Sequence, residues 1–129
     1  IIVDDDPSIR KDLRQFLEKN NYFILEGSNG LEGIEVIRKN QDCSLIVSDL
    51  NMPNMTGFEM LEHLAKEGLC ISTPKVIPTT DFMTDNTNRD FMAERGKELG
   101  VSCWFVKPFD NDSKRSHFVS VLETILEKK

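Results

Sequence analysis

Apolar and polar positions alternate in blocks along the chain, and the blocks predict strands and helices in turn. Short apolar runs of strand length are each followed by a longer segment whose apolar residues recur at helical spacing. In the first helical segment these residues fall at i, i+4, i+7 and i+8; they are Ile9, Leu13, Phe16 and Leu17. The predicted strands are 1–3, 22–26, 45–48, 75–79 and 101–106.

This repeated order of strand and helix favours one architecture. Short connections and right-handed crossovers place the helices of such a chain on both faces of a parallel sheet. The run 45–48 is almost continuously apolar, as expected for a strand that is covered on both faces. We therefore predict an α/β fold with a doubly wound, five-stranded parallel sheet. The alternation alone does not fix the order of its strands.

Glycine and proline predict where several elements end. Gly68 is expected to cap the third helix, and Gly100 to end the fourth. Pro78 removes a backbone donor inside the fourth strand, so we expect that strand to end early or to bend there. The polar segment 81–88 is expected to form a long loop before the fourth helix.

Length and composition predict one ordinary globular domain over residues 1–129. The chain has 39% hydrophobic and 29% charged residues, which is enough apolar surface for a core. A net charge of −6 argues against a large nucleic-acid surface, and no apolar run approaches the length of a membrane helix. The chain begins at Ile1, inside an apolar run, so we expect it to be an excised or truncated piece.

The three cysteines favour a reducing compartment, and we predict a cytoplasmic location. Cys43, Cys70 and Cys103 are odd in number, far apart, and without neighbours at metal-ligand spacing. Reduced thiols are therefore favoured over a zinc site or a disulfide framework.

Polar residues suited to catalysis or metal binding lie at the ends of four of the predicted strands. They are Asp4 and Asp5 after the first, Asp49 after the third, Thr79 and Thr80 at the fourth, and Lys107 after the fifth. The carboxyl ends of parallel strands share one edge of the sheet, so these groups can converge. Two like charges ~4 Å apart cost roughly 4 kcal/mol at an effective dielectric near 20. The carboxylates therefore need Lys107 and a hard divalent cation beside them, for which Mg²⁺ fits best.

Four segments occur in a fixed order along the chain. They are Val3-Asp4-Asp5-Asp6-Pro7-Ser8-Ile9-Arg10, Ser48-Asp49-Leu50-Asn51-Met52-Pro53-Asn54-Met55-Thr56-Gly57, Thr79-Thr80 and Val106-Lys107-Pro108-Phe109. An acidic pair after a strand is common, but the ordered set is specific. It resembles the receiver domain of two-component response regulators over essentially the whole chain. The resemblance implies a flavodoxin-like fold, as in chemotaxis response regulators, with strand order 2-1-3-4-5.

The resemblance also implies roles for the acidic residues and the lysine. Asp49 would be the phosphoacceptor, forming an aspartyl phosphate. Mg²⁺, with Mn²⁺ as the alternative, would be held by Asp5 directly, by Asp4 directly or through water, by Asp49, and by the backbone carbonyl of Asn51. Lys107 would pair with a phosphoryl oxygen, in keeping with the need to position groups and neutralise charge in phosphoryl transfer.

Further residues are implied in switching and in the lifetime of the phosphoryl group. Thr79, favoured over Thr80 by position, would donate its hydroxyl to the phosphoryl group. Trp104 would be the aromatic residue that switches, although simple core packing explains it equally well. Asn51 and Asp81 would tune hydrolysis, and output would pass through the face formed by helix 4, strand 5 and helix 5.

Partners and activity follow from the same resemblance. The phosphoryl donor would be a sensor histidine kinase or a histidine phosphotransfer protein, and an output domain or a target protein would read the signal. No direct contact with nucleic acid or membrane is expected. The domain would not be a classical enzyme; it would catalyse its own phosphorylation, from phosphohistidine or a small phosphodonor, and its own slow dephosphorylation.

Two other functions remain open at this point. A receiver fold used only for protein contact would be favoured if Asp5, Asp49 or Lys107 were missing, but all are present. An aspartate-nucleophile phosphohydrolase also uses Asp, Thr and Lys around Mg²⁺. That class carries its nucleophile on the first strand and its acidic pair late, the reverse of this order, and the chain lacks room for a cap domain.

Overall fold

Strands and helices alternate along the chain as the sequence predicts. The computed structural model describes residues 1–79, 86–107 and 111–127. In chain order the elements are β1 (Ile2–Val3), α1 (Pro7–Lys19), β2 (Glu26–Gly27), α2 (Gly30–Lys39), β3 (Ile46–Ser48), α3 (Gly57–Glu67), β4 (Lys75–Thr79), α4 (Asn86–Glu98), β5 (Val101–Val106) and α5 (Asp112–Glu127).

The strands form one parallel sheet in the order β2-β1-β3-β4-β5. β1 lies between β2 and β3, and Val3 is in register with Gly27 on one side and with Ser48 on the other. This arrangement confirms both the predicted fold class and the strand order implied by the resemblance. It places the ends of β1 and β3 side by side.

Consecutive strand residues point to opposite faces of the sheet and enter two separate cores. Ile2 packs in the core covered by α1 and α5, whereas Val3 packs in the core covered by α2, α3 and α4. Phe118 of α5 is fully buried in the first core and makes edge contacts with the rings of Phe16 and Phe105. The sheet is thus covered on both faces, which explains the apolar runs of its inner strands.

Side chains fix the helix ends that adjoin the edge of the sheet. Asp6 caps α1 by accepting hydrogen bonds from the backbone of Ser8 and Ile9. Thr56 caps α3 in a reciprocal capping box, and Gly68 ends that helix with φ of 70°, as predicted.

Among the described residues, no helix is both long and apolar enough to cross a membrane. The cysteines are free thiols.

Two predicted boundaries are wrong. β2 is Glu26–Gly27 rather than 22–26, because the Tyr22 amide is bonded to Leu17 O at the end of α1 and Phe23 is 87% exposed. Residues 86–88, predicted as loop, belong to α4; residues 80–85 lie outside the described part of the chain.

Pro78 neither ends nor interrupts β4, contrary to expectation. The strand continues to Thr79, with Pro78 in register with Phe105 of β5. Pro78 lies beyond Val76, the last β4 residue paired with β3, so its missing donor falls outside that ladder. The irregularity in β4 lies instead between Lys75 and Val76.

Phe118→Ala is expected to lower the free energy of unfolding by about 3–5 kcal/mol, because it empties a closed aromatic site. Phe23→Ala is the matched control and should change it by no more than about 0.5 kcal/mol, since Phe23 is exposed. Urea denaturation measures both. Similar small effects for the two variants would contradict the assigned core.

Candidate functional site

Three carboxylates meet at the carboxyl edge of the sheet. Asp4 and Asp5 follow β1, and Asp49 follows β3, so the pairing of Val3 with Ser48 brings the acids together. Each of the three offers an oxygen atom that lies within 4.8 Å of the others. Asp4 and Asp49 are buried, whereas Asp5 is exposed. The group is therefore open to solvent on the side of Asp5.

Lys107 brings a positive charge to the buried side of this group. It follows β5, and its Nζ lies 3.0 Å from Asp4 Oδ2 and 3.0 Å from Asp49 Oδ1. A buried ammonium is tolerated when it is paired and hydrogen-bonded, and here two carboxylates satisfy it. The structure thus brings together Asp4, Asp5, Asp49 and Lys107, as the sequence predicts.

Burial and neighbouring charges both shift the pKa values of Asp49 and Lys107. Burial raises the pKa of Asp49, the charge of Asp4 raises it further, and hydrogen bonding to Lys107 only partly opposes both. Burial works to lower the pKa of Lys107, but Asp4 and Asp49 outweigh burial and raise it. Lys107 is therefore held in its charged form, and in the described part of the chain it is the one cation that is ion-paired with any of these three carboxylates.

The main chain fixes Asp49 from two sides. Its amide donates to Val3 O at 2.9 Å, and the amide of Gly57 donates to Leu50 O at 2.8 Å. A Cβ atom on Gly57 would overlap the carbonyl oxygen of Asp49. Only glycine allows α3 to start this close to the end of β3, so the loop between them is held tightly against the site.

For two of the other predicted site residues, Asn51 and Thr79, the structure gives the position in the fold. Asn51 is exposed on the loop that follows Asp49, and Thr79 is the last residue of β4. The side chain of Thr79 is not described, and Thr80, Asp81 and Pro108 lie outside the described residues.

Trp104 lies on the face of the sheet covered by α2, α3 and α4. Its ring is half-buried and meets Phe58 of α3 edge to face, with 5.9 Å between ring centroids. A Cβ atom on Gly96 would lie 2.8 Å from the Trp104 ring, so the indole also packs closely on α4. These contacts agree with core packing, and the switching role stays a prediction.

Hard oxygen donors at the open side of the group fit a small divalent cation. Mg²⁺ accepts a few carboxylates and a carbonyl and keeps several waters, and the exposed position of Asp5 leaves room for those waters. The surplus negative charge beside Lys107 favours such an ion. The donor set therefore fits the predicted metal.

The sequence model of the response regulator receiver domain family matches residues 1–118. The chain belongs to this family. Receiver domains of the family typically use Mg²⁺ and interact with histidine kinases or phosphotransfer proteins. The resemblance that the motifs indicated is confirmed.

Individual relatives agree with the family assignment. Sporulation initiation phosphotransferase F of Bacillus subtilis is 32% identical over 115 residues, which cover 89% of this chain and 86% of the relative. Two-component response regulator ARR11 of Arabidopsis thaliana is 30% identical over 84% of this chain, but the match spans only 19% of its length. The structure of the chemotaxis response regulator CheY4 of Vibrio cholerae is 30% identical, with a TM-score of 0.77 and 94% of each chain covered.

Gly57→Ala is expected to displace the end of β3 and to lower the free energy of unfolding by about 1–3 kcal/mol, because the added methyl group overlaps the Asp49 carbonyl. Gly68→Ala is the control, since it strains the end of α3 but its methyl group meets nothing within 4 Å. Urea denaturation gives the stabilities, and amide NMR shifts report on Asp49. An unchanged Asp49 amide in Gly57→Ala would contradict the close approach.

Asp49→Asn is expected to raise the free energy of unfolding of the metal-free protein at neutral pH. Because the pKa of Asp49 is raised on folding, the stability from its protonated form is complete below the unfolded-state pKa. That stability is lost as pH rises through the folded-state pKa, and asparagine avoids this loss. The advantage of Asp49→Asn should therefore be clear at about pH 7 and shrink toward about pH 4.

The control for this measurement is Asp12→Asn, an exposed acid on α1, which should change stability by no more than about 0.5 kcal/mol. Urea denaturation across pH measures both variants. A lower stability of Asp49→Asn at neutral pH would show that burial and Asp4 do not disfavour the charged form of Asp49.

Proposed function

We propose that this receiver domain accepts a phosphoryl group on Asp49 from the phosphohistidine of a sensor kinase or of a histidine phosphotransfer protein. The observation that supports this most directly is the position of Asp49. It lies within 4.8 Å of two further carboxylates and 3.0 Å from the Lys107 ammonium, at the edge of a rigid sheet. With a divalent cation held by these carboxylates, the arrangement would supply the positive charge that a transferring phosphoryl group requires.

In the transfer, an Asp49 carboxylate oxygen attacks phosphorus. The bond from phosphorus to the imidazole nitrogen breaks, and its electron pair returns to the imidazole. The Lys107 ammonium, now 3.0 Å from Asp49 Oδ1, stabilises negative charge on a phosphoryl oxygen. Asp4, Asp5, Asp49 and the carbonyl of Asn51 would hold Mg²⁺, which supplies further positive charge to the phosphoryl oxygens when bound.

The phosphorylated state carries more negative charge than the free one. Phosphate adds acceptor oxygens and nearly two negative charges where Asp49 had one. In the proposal, the Lys107 ammonium and the hydroxyl of Thr79 donate hydrogen bonds to these oxygens. The signal then reaches α4, β5 and α5 as a shift between two populations, with Trp104 as the residue that reports it. Slow hydrolysis near Asn51 and Asp81 ends the signal.

Acetyl phosphate with Mg²⁺ is expected to add one phosphoryl group to the wild type, detected by intact mass, and none to Asp49→Asn. Asp12→Asn is the control; it removes an exposed acid on α1 and should be modified like the wild type. Lys107→Met should slow the modification by about 10²-fold or more, as for the loss of one charge-stabilising donor. Chelation of Mg²⁺ should prevent it.

Two outcomes would overturn this proposal in different ways. Modification that persists in Asp49→Asn would move the phosphoacceptor to another residue. A wild type that is inert, and whose amide shifts near Asp5 do not respond to Mg²⁺, would instead favour the alternative of a receiver-like module for protein interaction without phosphorylation.

A further inference from the structure

The side chain of Arg10 joins α1 to the loop that carries Asp4 and Asp5. Its Nη1 donates to the backbone carbonyl of Asp4 at 2.6 Å, and its Nε donates to Glu26 Oε1 at 3.3 Å. The side chain of Arg10 is only 19% exposed and that of Glu26 is 27% exposed. The guanidinium is thus a partly buried link from β2 to the end of β1.

The placement of Asp5 depends on its backbone. Its side chain is exposed, and in ranges 1–79, 86–107 and 111–127 no hydrogen bond or ion pair to its carboxylate is found. The peptide before Asp5 is held by Arg10 through Asp4 O, and the amide after it, that of Asp6, donates to Asp4 Oδ1 at 2.9 Å. Asp6 is fixed in turn because it caps α1. Arg10 therefore holds one of the two backbone points between which Asp5 lies.

Glu26 orients the Arg10 guanidinium. It lies on β2 in register with Ile2 of β1, and its second carboxylate oxygen pairs with Arg14. Arg14 also pairs with Glu18 on α1 at 3.3 Å, and within the described part of the chain it makes no hydrogen bond to Asp4. Glu26 is therefore held by both arginines, and of these two Arg10 is the one that also bonds the acidic loop.

We propose that Arg10 is a positioning residue for Mg²⁺ binding, which sets the Asp4–Asp5 peptide so that the Asp5 carboxylate faces the other two acids. The inference rests on the proposed function, since it assumes that the acidic group holds the ion. The direction of the change in Mg²⁺ affinity distinguishes a positioning role of Arg10 from a plain effect of its charge. A nearby positive charge weakens cation binding, so loss of the charge alone would tighten Mg²⁺ binding, whereas loss of positioning would weaken it.

The experiment compares Arg10→Met with Arg14→Met in the metal-free protein. Both variants lose one positive charge and one partner of Glu26, but only the first loses the bond to Asp4 O. Calorimetric titration with MgCl₂ should give a dissociation constant about tenfold higher for Arg10→Met than for the wild type. This loss of binding free energy corresponds to one charge-assisted hydrogen bond. Arg14→Met should stay within about twofold of the wild type or bind slightly more tightly.

A second measurement does not depend on the metal. NMR order parameters of the Asp5 and Asp6 amides should fall in Arg10→Met, toward the flexible range below about 0.6, and remain as in the wild type in Arg14→Met. Urea denaturation identifies any variant that has simply lost its fold.

The outcomes separate this inference from the proposed function. If the wild type binds Mg²⁺ and is phosphorylated, but Arg10→Met binds the ion as tightly or more tightly with unchanged order parameters, Arg10 has no positioning role. If the wild type itself binds no Mg²⁺, the proposed metal site is wrong and this inference is overturned with it. Weaker binding together with greater mobility at Asp5 supports the proposal.

Discussion

Repulsion among three carboxylates at one edge of the sheet, opposed by the buried ammonium of Lys107, is the constraint on which the site depends. Lys107 and Asp4 are 103 residues apart, so their ion pair requires nearly the whole chain to be folded around the sheet. The pairing is incomplete in electrostatic terms, because burial and Asp4 still raise the pKa of Asp49. The acidic group beside Lys107 is the feature that supports the proposed cation site and the proposed phosphoryl chemistry.

Hydrogen bonds to the main chain hold the acidic residues of the site. Asp49 is bonded through its amide to Val3 O, and Gly57 lets α3 begin against its carbonyl. Asp4 is held through its own amide by Gly27 O and through its carbonyl by Arg10. Backbone bonds of this kind hold the acidic residues in place without a ligand, and such preorganisation is what the proposed phosphoryl transfer needs for electrostatic stabilisation of its transition state.

The two cores tie this edge to different surfaces. α1 and α5 cover one face of the sheet, while Trp104 lies in the other core, between Phe58 of α3 and Gly96 of α4. Close contacts of this kind join β5 to α3 and α4. Whether the indole moves or stays therefore depends on the difference in free energy between two packings, which is a property of both states.

The sequence by itself determined the alternation of strands and helices and the convergence of Asp4, Asp5, Asp49 and Lys107. Each of these residues directly follows an apolar run, and parallel strands end at one edge. Tertiary structure alone decided the position of β2, because a strand is defined by the strand with which it pairs. Phe23 is apolar, but its side chain is exposed, and the pairing with β1 begins at Glu26. It also decided the tolerance of Pro78 and the bond from Arg10 to the Asp4 carbonyl. Both depend on which backbone groups lie opposite each other in the fold, and hydrophobic periodicity carries no information about that.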